Sequence, residues 1–426
     1  MKSDIILILI DSCNYRKIMS TETFTPNIDK LIKNGVTFSH TTSVADATLL
    51  STTGLFTGMY PFKTGIRSPK INKLNEKIIT LFSILKKEGY ENFGYRPTLQ
   101  ENDDLFPNFK NEDNLYDVFS NMDDGLGGKI IGQLQKKEEN PRFFFIHPHD
   151  LHQPIVVSKQ FDNEKFGTGN YERQTASLDS WLGKIIEQVD LKNTLIVITG
   201  DHGSFVKSLS INGESVIEAD GLNQLRISKI SNKLPEFFNP LKKKLFFMLE
   251  NKKQKKKEQI ISKLELTPNE KRNLLAGRFT IDHSLFEDQI RIPLIFAGCN
   301  IESGLKIHQQ VRNIDIFPTI LDIVGISNNL DTDGTSLKKL IDGESIMEYP
   351  AFLETNPLVI RKSNDVIGIR TSKFKYFRDK KIPDKNVNLY NLEDDPHENN
   401  NLKDERRDVI LDMEKLLQNI IGEYEI

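Results

Sequence analysis

Cysteine is nearly missing from this chain: Cys13 and Cys299 are the only two in 426 residues. Two thiols cannot form a disulfide framework, and usage this sparse fits a reducing compartment. Long apolar runs are missing as well. The N-terminal stretch Met1–Ile10 holds an unbroken apolar run of six residues, Ile5–Ile10, shorter than the hydrophobic core of a secretion signal and far shorter than a membrane span. A cytoplasmic location is therefore expected. Charge of one sign is not in excess: the formal net charge is -3 with 27% charged residues, so no nucleic-acid partner is expected. No internal repeat is present. What remains is an ordinary globular composition on a chain long enough for a large core, divisible into two or three units at roughly 150 residues each.

Within that frame the apolar runs that do exist are informative. Ile5–Ile10 is continuous and rich in β-branched residues, as a central parallel strand covered on both faces requires, and it stops at Asp11. A second run, Phe143–Ile146, is followed by His147, His149, Asp150 and His152; a third, Leu195–Ile198, is followed by Asp201 and His202. In open α/β sheets the site lies outside the carboxyl ends of the strands, so three runs ending in acids and histidines imply one shared site. Apolar spacing of three and four residues predicts helices over Asn27–Asn34, Ile78–Glu88 and Tyr171–Val189. Strand and helix thus alternate, which predicts an α/β fold: a doubly wound, mostly parallel sheet with helices on both faces. Ile290–Ala297 is a further strand candidate.

Residues 203–282 interrupt the alternation with a polar, mostly helical-looking insertion. Inside it, Lys242–Lys257 carries eight lysines and one glutamate around the apolar Leu245–Leu249. Such a segment can rest weakly on an anionic membrane surface or grip an anionic substrate, or it can be a solvated face. We expect a catalytic unit over residues 1–325 and a smaller C-terminal α+β part over 326–426 packed against it.

The stretch from Thr48 to Pro61 begins with small polar residues and continues in a short helical pattern, which places Thr48 near a helix N-terminus, where backbone N–H groups favour an anion. A hydroxyl held there beside a metal can act as a nucleophile; equally, Thr48 can cap the helix, with Ser51 bonding nearby backbone. Asp11, Asp201 and His202 would meet at the strand ends, and two carboxylates with one imidazole suit zinc or manganese. Cys13, beside them, reads as a thiolate ligand or as a small buried hydrophobe. If the segment after Phe143–Ile146 stays extended, Asp150 and His152 share a face and can bind a second ion or protonate a leaving group.

Thr48, Ser51, Thr57-Gly58 and Tyr60-Pro61 resemble the sulfatase signature, in which a nucleophile is followed three positions on by Ser, nine and ten positions on by Thr-Gly, and then by an aromatic-Pro pair. Sulfatases proper carry Cys or Ser at the first position, oxidised to formylglycine, with Pro two residues on and Arg four on. Here those positions are Thr48, Leu50 and Thr52. Formylglycine cannot be made from Thr, so the resemblance implies a threonine nucleophile, as in the phosphodiesterase, phosphomutase and phosphoglycol-transferase relatives of the alkaline phosphatase superfamily. Thr199-Gly200-Asp201-His202-Gly203 is similar to the family's Asp-His-Gly metal motif, and Ser12 stands where calcium-binding sulfatases often have a second Asp. The resemblance thus implies one or two divalent ions, zinc or manganese rather than calcium, on Asp11, Thr48, Asp201 and His202, with Asp150, His152 and His283 available to a second.

The resemblance also favours His152, in His152-Gln153-Pro154, over His147 and His149, and it places His283, ahead of Arg291-Ile292-Pro293, at the substrate or at that second ion or else at a surface turn; Arg291 is expected to be structural. Matches without chemistry run through Thr25–Asp29, Asp179 with Gly183, Asp315–Thr319, Asp333–Leu337 and Asp395–Glu398. The implied activity is metal-dependent hydrolysis of sulfate or phosphate esters, phosphodiesters included, of a small molecule or glycan, with Thr48 as nucleophile and His152 and His283 moving protons. A phosphotransferase of surface glycan or lipid assembly and a noncatalytic binder of anionic glycans are the alternatives.

Overall fold

The structure, a computed structural model, describes residues 2–68, 71–98, 105–206, 209–211, 214–217, 248, 252, 255, 258–276, 285–299, 301, 304–327, 330–356, 365–422 and 424. His283 lies outside these residues, as does Lys242–Lys257 apart from residues 248, 252 and 255.

The chain opens with strands β1 (Asp4–Ile10), β2 (Val36–Thr42), β3 (Glu91–Pro97), β4 (Leu115–Tyr116), β5 (Arg142–Ile146) and β6 (Thr194–Gly200). A hairpin of β7 (Leu209–Ile211) and β8 (Glu214–Ile217) follows, then β9 (Arg291–Gly298) and β10 (Leu305–Arg312). The main sheet runs β10-β2-β9-β6-β1-β5-β3-β4. Only β9 opposes its neighbours; the other pairings are parallel. The three strands whose ends carry acids and histidines, β6, β1 and β5, are therefore adjacent and aligned, with β1 between the other two.

Side chains along a strand alternate between faces, and β1 shows what that means for a fully covered strand. Ile5, Leu7 and Leu9 enter one core with the helices Thr48–Thr57, Leu81–Lys87 and Ile316–Ile323. Ile6, Ile8 and Ile10 enter the other with the helices Pro26–Asn34, Leu126–Leu134 and Asn170–Ile186. All six are fully buried, each stabilising the fold by roughly 1.5–3 kcal/mol relative to exposure. The doubly wound α/β reading holds. One helix starts later than its apolar spacing predicts: Thr80 caps Leu81–Lys87 in a reciprocal pair with Ser83, so Ile78 and Ile79 stay in the preceding loop.

The sequence matches without chemistry turn out to be braces that touch one another. Asp179, on the helix Asn170–Ile186, accepts from the backbone N–H groups of Asn27 (3.1 Å) and Ile28 (2.8 Å) at the start of the helix Pro26–Asn34. Gly183, one turn on, lets Asn27 approach so closely that a Cβ there would lie 2.4 Å from its Oδ1. On the opposite side Asp315 accepts from the N–H groups of Arg312 and Thr335 and pairs with the Arg312 guanidinium at 2.7 Å. Gly58, at φ 65°, ends the Thr48 helix and receives the Gly334 N–H on its carbonyl.

A second, antiparallel sheet is built from β11 (Ala351–Glu354), β12 (Val366–Arg370), β13 (Phe374–Asp379) and β14 (Asn388–Asn391). The helix Arg407–Ile421 covers it through Val409, Met413, Leu417 and Ile421, in one core with Val44, Tyr60, Phe62 and Ile314. Where this sheet meets the residues leading into β9, four charges are sealed together. Glu287 receives the Arg370 guanidinium (2.9 and 3.0 Å) and the Lys375 ammonium (3.3 Å), and Lys375 also pairs with Glu398. Two anions and two cations balance there.

In the insertion the helical expectation is met by Pro268–Leu275, capped by the reciprocal pair Thr267 and Glu270. It is not met by β7 and β8, where Leu209-Ser210-Ile211 already alternates with the period of a strand. Among the described residues no helix is long and apolar enough to cross a membrane.

Candidate metal centre and active site

Parallel pairing in register brings the exits of β1 and β6 together: Ile10 lies opposite Gly200, and the next residue of each strand is an aspartate. Asp11 and Asp201 are both completely buried. Two carboxylates so placed repel, and the local backbone is bent to hold them. Ser12 adopts φ 56°, a left-handed conformation that costs a side-chain-bearing residue roughly 1–2 kcal/mol. In that conformation its N–H donates to Asp201 Oδ1 (3.1 Å) and its hydroxyl to Asp11 Oδ1 (2.7 Å). Tyr171 Oη fixes the same turn by donating to the Ser12 carbonyl and accepting from the Asn14 N–H.

Thr48 is the first residue of the helix Thr48–Thr57, and Ala47 occupies the cap position without a side-chain bond. Its hydroxyl is thus not spent on capping. It donates to Asp11 Oδ2 at 3.2 Å and lies 3.3 Å from His202 Nε2. Ser51, one turn further, donates to the Asp201 carbonyl and receives the Asn313 amide at 3.0 Å and the Ser43 hydroxyl at 3.0 Å. The helix is thereby tied to the strand end it faces. Ser43 and Asn313 were not singled out from sequence; Asn313 meets Ser51 across 262 residues, a separation no local pattern reports.

His202 is oriented by its other ring nitrogen: Nδ1 lies 2.7 Å from the Gly203 carbonyl, so Nδ1–H donates and Nε2 faces Thr48 and Asp201. Asp11, Asp201 and His202 present donor atoms all within 4.8 Å of one another, and Asp201 Oδ2 is buried without a hydrogen-bond donor. Two carboxylates, an imidazole nitrogen and a hydroxyl form a donor set suited to a divalent cation. Electrostatics at the site reflect the crowding. Burial opposes ionisation of Asp11, yet the imidazoles of His149, His152 and His202 hold its carboxyl well below the usual range. Burial and the Asp11 charge push Asp201 up to about 6. His202 is raised, because Asp201 and Asp11 outweigh its burial.

The histidine-rich segment departs from a simple extended reading. Beyond the end of β5 come His147 and His149, whose Nε2 atoms lie 3.8 and 3.0 Å from Asp11 Oδ2. The chain then turns, with the His152 N–H bonding the His149 carbonyl at 3.0 Å. Asp150 and His152 consequently do not share a face. Asp150 accepts from the Met122 N–H and the Gln174 amide (3.2 and 2.9 Å), and burial pushes its carboxyl up to about 7. His152, half-buried, stacks on His149 at 5.0 Å. The structure therefore brings His147 and His149 to Asp11, with His152 stacked on His149. Burial, with His149 beside it, pushes His147 down to about 3, a neutral ring.

Cys13 is wholly buried in the core beneath the site, and burial, with the charges of Asp201 and Asp11, raises its thiol well above the usual value. It is a packed thiol. Arg291 donates to the Ser39 carbonyl and stacks 4.0 Å above the Tyr15 ring.

Comparison with known proteins places this arrangement. The sulfatase family model matches residues 3–326, and the model described as N-sulphoglucosamine sulphohydrolase, C-terminal, matches residues 278–423. Arylsulfatase K of Danio rerio is 29% identical over 141 residues, 32% of this chain and 27% of that protein; the chain thus aligns with little more than a quarter of that relative. Among solved structures, the phosphonate monoester hydrolase of Agrobacterium radiobacter superposes with a TM-score of 0.70 at 16% identity, covering 100% of this chain and 96% of the other. A 2-O GAG sulfatase superposes at 0.68 and 17% identity, covering 100% and 93%. With a strand-end centre of this kind on a matching fold, and a family model spanning about three-quarters of its length, the chain belongs to the sulfatase family.

Proposed function

We propose that the protein is a metal-dependent hydrolase of sulfate or phosphate esters in which Thr48 is the nucleophile. The observation that carries the reading is the position of Thr48 Oγ1, 3.2 Å from Asp11 Oδ2 and 3.3 Å from His202 Nε2, on the first turn of a helix whose cap it does not supply. Asp11, Asp201, His202 and Thr48 would hold one divalent ion, zinc or manganese in preference to calcium. When bound, such an ion supplies the positive charge that lowers the hydroxyl's pKa and neutralises charge building on the transferred group.

The residues' own chemistry then runs in two steps. Thr48 Oγ1 releases its proton toward Asp11 Oδ2 and bonds to sulfur or phosphorus as the bond to the departing alcohol breaks. His152 gives that alcohol its proton. A water then attacks the Thr48 ester, losing its proton to the same imidazole, as the bond to Thr48 Oγ1 breaks and the proton held on Asp11 returns to that oxygen, releasing sulfate or phosphate. Ser51 and Asn313 keep the helix registered on the Asp201 strand end, and Ser12 holds the two carboxylates apart. His283 is a second candidate for proton transfer outside the described residues.

The substrate we propose is an ester of a small molecule or glycan, a choice supported by the activities of the two fold neighbours, a phosphonate monoester hydrolase and a 2-O GAG sulfatase. The unpaired thiols Cys13 and Cys299 support a reducing, cytoplasmic setting. Metal content of wild type and Asp201→Ala, measured beside turnover of aryl phosphate, phosphodiester and sulfate esters, tests the reading. Metal lost in the variant together with ester turnover in wild type is the expected result. Stoichiometric metal without turnover would favour a transferase lacking its acceptor, and no metal in either protein would leave only a binding role.

A further inference from the structure

Behind the proposed first ion position, on the β5 side of Asp11, a second group of donors converges. Asp11, His147 and His149 each present one ligand atom, all within 4.8 Å of one another and all buried. His149 Nε2 is 3.0 Å and His147 Nε2 3.8 Å from the same oxygen, Asp11 Oδ2. The rings are perpendicular, 5.3 Å between centroids, so their edges rather than their faces meet at the carboxylate. The backbone enforces this aim. His147 N–H is bound to the Tyr95 carbonyl of β3, and the His147 carbonyl receives Tyr116 Oη; the Pro148 carbonyl receives the Asp11 N–H at 3.1 Å.

Two imidazole nitrogens converge on one buried carboxylate oxygen; a neutral His149 that donates its Nε2–H bonds that oxygen at 3.0 Å, while His147 Nε2, at 3.8 Å, stays beyond hydrogen-bond reach of it. If both rings are protonated, two cations crowd a single sealed carboxylate, with only His149 within hydrogen-bond reach. If His147 is neutral with its Nε2 lone pair forward, that lone pair faces the oxygen. A cation seated among the three atoms turns every one of these contacts into an attraction.

We propose that Asp11, His147 and His149 form a second divalent-cation site, sharing Asp11 with the first. Two imidazoles and one carboxylate are the ligand number and type of a zinc site with one open position, so zinc, or cobalt in its place, is the cation expected. The inference rests on the proposed active site only through the shared Asp11, and the following experiment separates the two.

Metal-free full-length protein is loaded with Zn²⁺, freed of excess, and its ion content per chain measured for wild type, His149→Ala, His147→Gln and Asp201→Asn. Wild type should hold two ions and each variant one. One ion in wild type, kept by both histidine variants and lost in Asp201→Asn, would overturn the second site and leave the first. One ion kept by Asp201→Asn and lost in the histidine variants would support the imidazole site and overturn the first; no ion in wild type would overturn both. Should a variant not fold, wild type loaded with Co²⁺ decides alone. Each ligating imidazole adds one hyperfine-shifted, exchangeable N–H proton signal; three signals (His147, His149, His202) are expected, and a single one would overturn the proposal.

Discussion

Two sealed clusters of charge lie in this molecule, and they differ in whether Lys and Arg side chains balance the carboxylates. At the seam with the second sheet, Glu287 and Glu398 face Arg370 and Lys375, two against two, with both guanidinium bonds to Glu287 at 2.9–3.0 Å. At the ends of β1 and β6, Asp11 and Asp201 face each other, a hydroxyl, backbone N–H groups and imidazoles, and Asp201 Oδ2 has no donor. Both are buried and both coincide with segments that resemble the family in sequence, so neither burial nor resemblance separates scaffold from site. The kind of partner does: at the seam the carboxylates meet a guanidinium and an ammonium, whereas Asp11 and Asp201 meet imidazoles, a hydroxyl and backbone N–H groups. A balanced buried cluster has nothing left to bind, whereas one held together against its own repulsion is kept for a ligand that supplies the missing charge.

The sharpest way to break that contrast is at Thr48. Thr48→Ala should lower kcat/KM by about 10⁴-fold or more while leaving the melting curve near wild type; a loss of tenfold or less in steady-state assays would return Thr48 to a supporting role. At the balanced cluster the effect should fall on stability. Lys375→Met leaves Glu398 and Glu287 short of a buried cation and should cost about 3–5 kcal/mol in denaturant unfolding, and a value under 1 kcal/mol would show that the seam is not a brace.

Asp201→Asn should have the opposite sign in metal-free protein. The folded carboxyl titrates at about 6 against an ordinary value of 3.8, so the native state binds more protons between those values. Wild type therefore loses stability as pH rises from about 4 to 6, and the amide, having no charge to bury, gains about 1–3 kcal/mol over wild type above that window. Equal stability at pH 8 would mean that the two carboxylates do not strain the apo fold. Least of all, Asp179→Ala removes the carboxylate that accepts from two backbone N–H groups at the start of the helix Pro26–Asn34 and should cost roughly 1–2 kcal/mol, with metal content unchanged.

The fold was legible where one physical rule acted alone. A strand covered on both faces must be apolar throughout, so β1, β5 and β6 stand out as unbroken runs, and the residues that end them are the ones that meet. Thr48 was legible only through resemblance, since small polar residues before a helix read equally well as a cap; it is Ala47 in the cap position that separates the two. Which imidazoles come nearest to Asp11 was not legible, because it depends on where the chain turns. Spacing by two favours His147 with His149 as much as Asp150 with His152, and the bond from the His152 N–H to the His149 carbonyl decides between them. Ser43 and Asn313, which tether Ser51, act across distances in sequence that carry no pattern.

The central claim, a threonine nucleophile at the strand-end centre, is met most directly by quenching the metal-loaded enzyme during turnover of an aryl phosphate or sulfate and mapping the peptide that contains residues 48–57 by mass spectrometry. A phospho- or sulfo-group on Thr48, accumulating further in His152→Ala and absent in Thr48→Ala, is the predicted result. Turnover at full rate with that peptide unmodified in wild type and in His152→Ala would contradict it.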